Sequence, residues 1–231
     1  MRSSVDKPKH ILVVLPHPDD EAFGASGTLA MHVQSGTQVT YACLTLGEMG
    51  RNMGIPPFAN RVTLPEIRKK ELEDSCRAIG IQDLRMLGFH DKMLEFEEQE
   101  LLDEQIDALL QELHPSLIIT FYPGYSVHPD HDACGAAVIR TVGKLAKEER
   151  SPVHCIAFAK NLEQDIGQPD VINDVSHFLK QKMSSIEAHQ SQFQAAELLG
   201  SIELQPEEIQ ERFGTEHFWT YPFEGRNNRG R

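Results

Sequence analysis

The feature that most constrains the fold is a series of short apolar runs separated by longer amphipathic segments. Ile11–Leu15 is an unbroken apolar run, and Ser116–Phe121 is similar. Such runs are short for helices and rich in β-branched residues, which is typical of strands buried on both faces. Strands that alternate with helices in this way predict an α/β fold with a mostly parallel sheet between helices.

The same alternation continues along most of the chain. The predicted strands are His10–Leu15, Gln38–Leu44, Leu84–Leu87, Ser116–Phe121 and Val153–Phe158, and the predicted helices are Glu21–Ser35, Leu64–Ile79, Glu97–Leu113 and Asp130–Glu148. Further on we expect a strand near Val171, helices over Ser176–Ala188 and Pro206–Phe213, and a strand over Phe218–Tyr221. We interpret residues 1–231 as one domain, with a core over about 9–160, a C-terminal elaboration over about 170–223 and a disordered polar tail at 225–231.

Composition excludes several classes of partner. The 231 residues carry 22 Lys and Arg against 35 Asp and Glu, a net charge of −13, so we expect neither nucleic acid nor an anionic membrane as a partner. No apolar run approaches the ~18 residues that a transmembrane helix requires. The four cysteines are scattered and form no CxxC pair, which favours reduced thiols and a cytoplasmic location.

Two short segments concentrate the residues that carry chemistry. Pro16–Glu21 follows the first predicted strand, and Tyr125–His131 follows the strand that ends at Phe121. Binding sites in parallel sheets form just outside the carboxyl ends of the strands. We therefore expect the imidazoles and carboxylates of both segments to face one crevice.

This set of side chains suits zinc. A catalytic zinc site takes about three protein ligands from His and Asp/Glu and keeps one position open. His17 and Asp20 lie three residues apart across a strand-to-helix turn, so both can reach one point, and a histidine of the second segment completes the set. Asp19 is then available as a base, and the other histidine can stabilise charge. In one segment alone these aspartates could simply be helix caps, but two such segments favour a metal site.

The two segments together also carry a resemblance. His17–Glu21 (HPDDE) and His128–His131 (HPDH) resemble the zinc-dependent N-deacetylases of the LmbE-like (PIG-L) family, as do Leu46–Gly50 (LGEMG) and Arg68–Glu71 (RKKE). The resemblance extends from about His10 to Phe158. It implies a Rossmann-like three-layer sandwich and the removal of acetate from N-acetylglucosaminyl compounds.

The resemblance also implies residue roles. The zinc ligands would be His17, Asp20 and His131; the general base would be Asp19; a cationic His128, oriented by Asp130, would stabilise the oxyanion; and Arg68 would hold the sugar hydroxyls. Fe(II) could replace zinc in the cell, because the ligand types alone do not select strongly between the two metals.

A closer resemblance narrows the expected substrate. Leu46–Gly54 and Ile119–His128 resemble the second type of bacillithiol-biosynthesis deacetylase in this family, which implies conversion of N-acetylglucosaminyl-malate to glucosaminyl-malate and acetate. The malate carboxylates need cations, for which Arg51 and Arg61 in the long loop after the second strand are candidates. Glu48 is a further candidate for substrate binding. So is Tyr125, although some relatives carry their tyrosine one place later, where this chain has Ser126.

Several alternatives stay open. The chain could deacetylate another N-acetylglucosamine conjugate, act as an amidase on a bacillithiol S-conjugate, bind zinc without turnover, or act as a metal phosphoesterase. Relatives imply a homo-oligomer, with a hexamer as one form. Ala188–Gln192 also resembles a late segment of the family, which would bring His189 toward the site.

Overall fold

The sheet has seven strands, and most of them are parallel. The computed structural model describes residues 7–160, 162–193 and 206–224; the predicted disordered tail lies outside these ranges. The sheet order is β3-β2-β1-β4-β5-β7-β6. Its strands are β1 (His10–Leu15), β2 (Gln38–Thr45), β3 (Asp83–Phe89), β4 (Leu117–Phe121), β5 (Val153–Ile156), β6 (Val171–Asp174) and β7 (Thr215–Thr220). Only the pairs β5–β7 and β6–β7 are antiparallel among these strands.

Helices cover both faces of this sheet. They are α1 (Asp20–Gly24), α2 (Ser26–Gln34), α3 (Leu64–Ile79), α4 (Gln99–Leu113), α5 (Pro129–Lys144), α6 (Leu162–Asp165), α7 (Leu179–Ala188) and α8 (Pro206–Phe213). Within the described ranges, no helix combines the length and apolar character needed to cross a membrane. The predicted α/β fold is confirmed.

The central strand β1 explains the layering. Side chains alternate between the two faces of a strand. Leu12 and Val14 pack with apolar residues of α4 and α5 on one face, whereas Val13 and Leu15 pack with those of α2 and α3 on the other. All four side chains are fully buried, and each contributes about 1.5–3 kcal/mol. The unbroken apolar run is therefore what a middle layer requires.

The strand order also decides where a site can form. β1 pairs with β2 on one side and with β4 on the other, with Ile11 opposite both Val39 and Leu117. The strands that follow β1 in the chain, β2 and β3, lie on one side of it, and the next strands, β4 and β5, lie on the other side. Such a switch in strand order opens a crevice at the carboxyl ends of β1 and β4. The segments that follow β1 and β4 therefore meet, as predicted.

One predicted helix is two. The segment predicted as Glu21–Ser35 breaks at Ala25, whose φ is −149° and ψ is −3°. A Cβ atom added at Gly24 would lie 2.7 Å from Ile156 Cδ1, and one added at Gly27 would lie 2.7 Å from Val175. The break lets both glycines pack tightly against their neighbours, a contact that periodicity cannot reveal.

One helix and one strand end earlier than predicted. The helix predicted to reach Glu148 ends at Lys144, where the Arg150 guanidinium donates to the carbonyls of Gly143 (2.8 Å) and Leu145 (2.9 Å). These bonds satisfy carbonyls that a helix end leaves free. The strand predicted to reach Phe158 ends at Ile156, because the Phe158 N–H donates to the Tyr125 carbonyl (2.8 Å) instead of to a strand.

The C-terminal elements join the same sheet. β7 pairs with β5, and a buried ion pair joins Lys182 of α7 to Glu216 of β7. Glu216 also accepts the backbone N–H groups of Gly27 (3.0 Å) and Thr28 (2.7 Å). A buried carboxylate with this many partners ties β7, α7 and α2 together.

Gly135 is where α5 lies closest to β4. A Cβ atom there would lie 2.2 Å from the Phe121 carbonyl oxygen, whereas at Gly143, on the same helix, the nearest atom is a Phe223 ring carbon at 3.9 Å. We expect Gly135→Ala to lower the free energy of unfolding by about 1–3 kcal/mol, as overpacking does. Gly143→Ala should raise it by about 0.5–1 kcal/mol, because alanine favours the helix. Urea denaturation checks both, and equal effects would contradict the packing argument.

Candidate active site

Three imidazoles form the centre of the crevice. The ring centroids of His17, His128 and His131 are 5.0–5.2 Å apart, and one nitrogen of each lies within 4.8 Å of the others. His17 follows β1, His128 is the N-cap of α5, and His131 lies in the first turn of that helix. The predicted convergence of the two segments is thus seen at the level of side chains.

Asp20 lies between two of these rings. Its Oδ2 is 3.4 Å from His17 Nδ1, and its Oδ1 is 3.2 Å from His131 Nε2. Burial opposes ionisation of this carboxyl, but His131 and His17 outweigh it and hold the pKa of Asp20 well below its usual range. The predicted trio of His17, Asp20 and His131 is therefore in mutual contact.

His131 is held in one orientation. Its Nδ1 lies 3.1 Å from the Ser126 carbonyl, and its ring stacks on Phe121 at 4.0 Å and 2°. A carbonyl partner at Nδ1 fixes the proton there and leaves Nε2 as the donor for a metal. Ser126, which stands where some relatives have tyrosine, thus supports the site through its backbone.

A second acidic group surrounds His17. Its Nε2 lies 3.1 Å from both Asp91 Oδ1 and Asp130 Oδ2. Burial alone would lower the pKa of His17, but hydrogen bonds to Asp130, Asp20 and Asp91 raise it well above its usual value. A metal ion entering the site must therefore displace a proton from His17.

Asp91 was not predicted from the sequence as a site residue. Its carboxylate also accepts the Met49 N–H (2.8 Å), and the residue is buried. A signal was available, because Asp91 comes just after β3, and the carboxyl end of β3 opens on the same edge as those of β1 and β4.

Asp130 occupies a different place from the one the resemblance implied. Its carboxylate bonds His17 and accepts the backbone N–H groups of Lys92 (2.6 Å) and Leu94 (3.2 Å). His128 is contacted by the Asp130 backbone, whose N–H donates to Nδ1 (3.1 Å). The orienting group is thus the peptide N–H and not the carboxylate.

The surroundings of His128 bear on its charge. Burial and the neighbouring imidazoles of His17 and His131 lower the pKa of His128, which works against the cation that the resemblance implied. Because Nδ1 accepts a hydrogen bond from the Asp130 N–H, a neutral His128 ring would carry its proton on Nε2.

Asp19 stands beside the trio His17, Asp20 and His131 in a strained conformation. Its φ is 102°, a value that costs energy outside glycine and that is typical of functional sites. Its Oδ2 accepts a hydrogen bond from Arg68 Nη2 (2.7 Å). Burial raises the pKa of Asp19 to about 6, against the opposing charge of Arg68. A carboxylate with this pKa suits a general base near neutral pH.

Arg68 is buried and bonded to the protein on both sides. It donates to the carbonyls of Gly47 (2.8 Å) and Pro18 as well as to Asp19. A Cβ atom at Gly47 would lie 1.9 Å from its guanidinium, so only glycine permits this approach. The structure thus shows Arg68 holding Asp19, whereas its predicted contact with sugar hydroxyls stays a prediction.

The other predicted substrate residues lie mostly on the long loop between β2 and α3. Glu48 accepts the Asp91 N–H (2.9 Å). Arg61 donates to the carbonyls of Glu48 (3.2 Å) and Gly50 (2.6 Å), and Arg51 is exposed. Glu48 therefore adjoins the site, and the two arginines lie on its outer loop.

Tyr125 is placed elsewhere. Its ring packs edge-on against Tyr122 at 5.4 Å and joins the hydrophobic cluster under α4 and α5. Within the described ranges, no ring contact joins it to the three imidazoles. The structure thus places the Tyr125 ring in this cluster, and its contact with substrate stays a prediction.

A bound metal fits these residues. The donors are imidazole nitrogens and carboxylate oxygens in two overlapping groups, the three histidines and the set His17, Asp91 and Asp130. Nitrogen and oxygen donors of this kind suit zinc, and equally Fe(II). Beside His128 opens a cavity of about 660 Å³, bounded partly by Val127, Asp132 and Arg140, which is large enough for a small ligand.

Comparison with known proteins agrees with this site. The family model described as PIG-L, GlcNAc-PI de-N-acetylase, matches residues 12–142, so the chain belongs to the PIG-L family. A Bacillus cereus protein named probable N-acetyl-alpha-D-glucosaminyl L-malate deacetylase 2 is 51% identical over 94% of this chain and 99% of its own length. A Bacillus subtilis protein of the same name is 47% identical over 92% and 97%.

Solved structures show the same fold. N,N'-diacetylchitobiose deacetylase from Pyrococcus horikoshii aligns with a TM-score of 0.70 at 24% identity, covering 94% of this chain and 85% of that one. GalB, a 4-carboxy-2-hydroxymuconate hydratase from Pseudomonas putida, also aligns with a TM-score of 0.70, at 16% identity, covering 95% and 99%. A hydratase on this fold means that the reaction must be argued from the side chains.

The position of Asp20 between two imidazoles gives a test of the ligand set. We expect Asp20→Ala to weaken zinc binding by at least about 100-fold, because a ligand is lost. His128→Ala should weaken it less than about 10-fold, at or below the usual effect of an outer partner. Competition with a chromophoric chelator measures both. A larger loss in His128→Ala than in Asp20→Ala would instead assign the three histidines as ligands.

Proposed function

We propose that this protein hydrolyses the acetamide of N-acetylglucosaminyl L-malate to glucosaminyl-malate and acetate, the deacetylation step of bacillithiol biosynthesis. The observation that carries the chemistry is the placement of Asp19, a strained and half-buried carboxylate beside His17, Asp20 and His131. A site that only bound metal would not need this base. The relatives at 47–51% identity, both named for the malate conjugate, support the substrate.

His17, Asp20 and His131 would hold a zinc ion, or Fe(II) in the cell. When bound, such an ion acts as a Lewis acid, favouring ionisation of water and polarising a carbonyl. The fixed orientation of His131 through Ser126 and the two contacts of Asp20 support this assignment. Asp91 and Asp130 would then hold the outer nitrogen of His17, as carboxylates commonly do for a ligating imidazole.

Asp19 moves the proton. As a water molecule adds to the amide carbon, Asp19 accepts its proton, and because Arg68 bonds Oδ2 the free oxygen is Oδ1. The same proton passes to the leaving nitrogen when the C–N bond breaks, which gives acetate and an amine. Arg68 fixes the base in place throughout, and precise placement of a reacting group is worth several powers of ten in rate.

His128 stabilises the negative charge on the carbonyl oxygen. Its Nδ1 accepts the Asp130 N–H, so Nε2–H is the donor. A neutral, preoriented donor needs no reorganisation as charge develops, and losing such a donor typically costs 10²–10³-fold in rate.

The substrate's charge needs cations outside the acidic centre. That centre repels malate carboxylates, because it holds four carboxyl groups of its own, those of Asp19, Asp20, Asp91 and Asp130. We assign the malate to the outer loop near Arg51 and Arg61, and the sugar hydroxyls to Arg68 and Glu48.

We also propose the domain organisation, cellular location and oligomeric state of the protein. Residues 1–231 would act as one catalytic domain, supported by the pairing of β7 with β5. The protein would work in the cytoplasm, supported by four free and buried cysteines, and as a homo-oligomer.

A free-amine assay tests this function directly. With zinc-loaded protein we expect turnover of N-acetylglucosaminyl-malate in clear preference to plain N-acetylglucosamine. Asp19→Ala should remove turnover by at least about 10³-fold while zinc remains bound, since the base is lost and the ligands are kept. Cleavage of a bacillithiol S-conjugate in place of the acetylated precursor would move the function to the amidase alternative.

Arg51 and Arg61 provide a matched pair for specificity. We expect Arg51→Met to raise KM for the malate conjugate about 10-fold, the usual effect of one charged hydrogen bond, and to leave plain N-acetylglucosamine unaffected. Arg61→Met should raise KM for both, because Arg61 also holds the backbone of the loop. Steady-state kinetics on the two substrates decides, and identical profiles would contradict the assignment of Arg51 to malate.

A further inference from the structure

A polar network is buried beneath the base, and the mechanism above does not use it. Its centre is Glu21, which is fully buried, two residues after Asp19. Glu21 Oε2 accepts the Asp19 N–H (3.1 Å) and the Tyr41 hydroxyl (3.2 Å), and Oε1 accepts the Ser75 hydroxyl (2.5 Å). The conformation of Asp19 is therefore tied to the position of this one carboxylate.

The counter-charge for Glu21 comes from the far end of the chain. His189 Nε2 lies 2.8 Å from Glu21 Oε1, and both side chains are completely buried. His189 Nδ1 is buried and has no hydrogen-bond partner in the described part of the chain. A buried polar atom left unpaired costs stability, so packing alone does not explain why a histidine is placed here.

The residues after His189 hold two further elements. Ser191 donates its N–H and its hydroxyl to the Glu71 carboxylate of α3, each at 2.7 Å, and its carbonyl accepts the Gly54 N–H (2.9 Å). Gln192 exchanges two bonds with Asn52 of the long loop, Asn52 Nδ2 to Gln192 O (2.7 Å) and Gln192 Nε2 to Asn52 O (3.0 Å). Residues 189–192 therefore contact Glu21 in the segment that carries Asp19, the helix α3 and the long loop between β2 and α3.

We propose that residues 189–192 are a positioning element with two separable tasks: His189 places the base Asp19 through Glu21, and Gln192 places the substrate loop through Asn52. The proposal rests on the proposed function. It predicts that two residues three positions apart control different kinetic constants, kcat for His189 and KM for Gln192.

His189→Leu removes the donor at similar size, and His189→Gln restores a donor at the position of Nε2. We expect His189→Leu to lower kcat about 10- to 100-fold with KM changed less than about threefold, because a misplaced reacting group loses rate on this scale. His189→Gln should recover most of the lost kcat. A purely structural residue would not show this split or this rescue.

The helix that ends just before His189 supplies a matched control. Lys182 of that helix and Glu216 form a second buried ion pair. The bonds described for this pair reach Gly27, Thr28 and the Phe23 carbonyl (3.1 Å), but no residue of the segment Pro16–Glu21 that carries Asp19. Lys182→Met should lower Tm, as breaking any buried pair does, and leave kcat within about twofold of the wild type. If His189→Leu behaves like Lys182→Met, the positioning role of His189 is overturned.

Gln192→Ala tests the second task. We expect KM to rise about 5- to 10-fold with kcat within about twofold, and hydrogen exchange of residues 46–63 to accelerate. His189→Leu should leave the exchange of this loop unchanged. Unchanged exchange in Gln192→Ala would overturn the role of Gln192.

Two further measurements keep the outcomes distinct. If His189→Leu fails to fold, His189→Asn replaces it, since its shorter amide stays polar but cannot reach Glu21; wild-type kcat in that variant overturns the proposal, and a 10- to 100-fold loss supports it. A wild-type protein inactive on both acetylated sugars would refute the proposed function, and the hydrogen-exchange results would then decide the proposal on their own.

Discussion

The parallel pairing of β1 with β4 is the constraint on which the rest of the structure depends. It places two segments that are more than 100 residues apart in sequence at one edge of the sheet, so that His17 and Asp20 meet His128 and His131. The pairing is stable because β1 is buried on both faces and its side chains fill two hydrophobic layers. Because β1 and β4 are apolar over most of their length, the imidazoles and carboxylates of the reactive cluster lie just beyond the ends of these strands. The reactive cluster is thus supported by a rigid apolar layer and takes no part in it.

The site concentrates charge that the fold alone would not stabilise. Buried carboxylates surround His17, and their mutual repulsion is offset by imidazoles and by Arg68. Three of the described non-glycine residues with positive φ, Asp19, Lys92 and Val127, lie in the segments that form this crevice. Strain of this kind persists only where the surroundings fix it. The Asp19 N–H donates to Glu21 and the Lys92 N–H donates to Asp130, and these two bonds restrain the strained backbone.

The sequence was sufficient for the parts of the molecule that local pattern determines. Apolar runs predicted the strands, and the rule on strand ends predicted that His17 and His131 would converge. Contacts between distant segments were not predictable in this way: the break at Ala25 depends on Ile156 and Val175, and the end of α5 depends on Arg150. Asp91 was missed for the same reason, because only the strand order places it beside His17. The contacts of Asp130 were not predictable either, because its carboxylate binds the backbone N–H groups of Lys92 and Leu94, which no sequence motif specifies. Proximity in sequence to His128 likewise does not set the direction of the Tyr125 side chain, which packs on Tyr122.

The arrangement as a whole resolves a conflict between catalysis and substrate charge. An acidic centre suits a metal and a base, but it repels an anionic substrate, so attraction has to come from residues at a distance. In this chain the arginines lie on the long loop, and that loop is bonded to the stretch that also bonds Glu21. Residues 189–192 therefore contact both Glu21, which bonds the Asp19 N–H, and the long loop, which carries the two arginines. Coupling of this kind can keep the two at a fixed separation, so that a conjugate whose anionic part binds the loop presents its acetamide at Asp19. In this proposal residues 189–192 would influence specificity through the long loop.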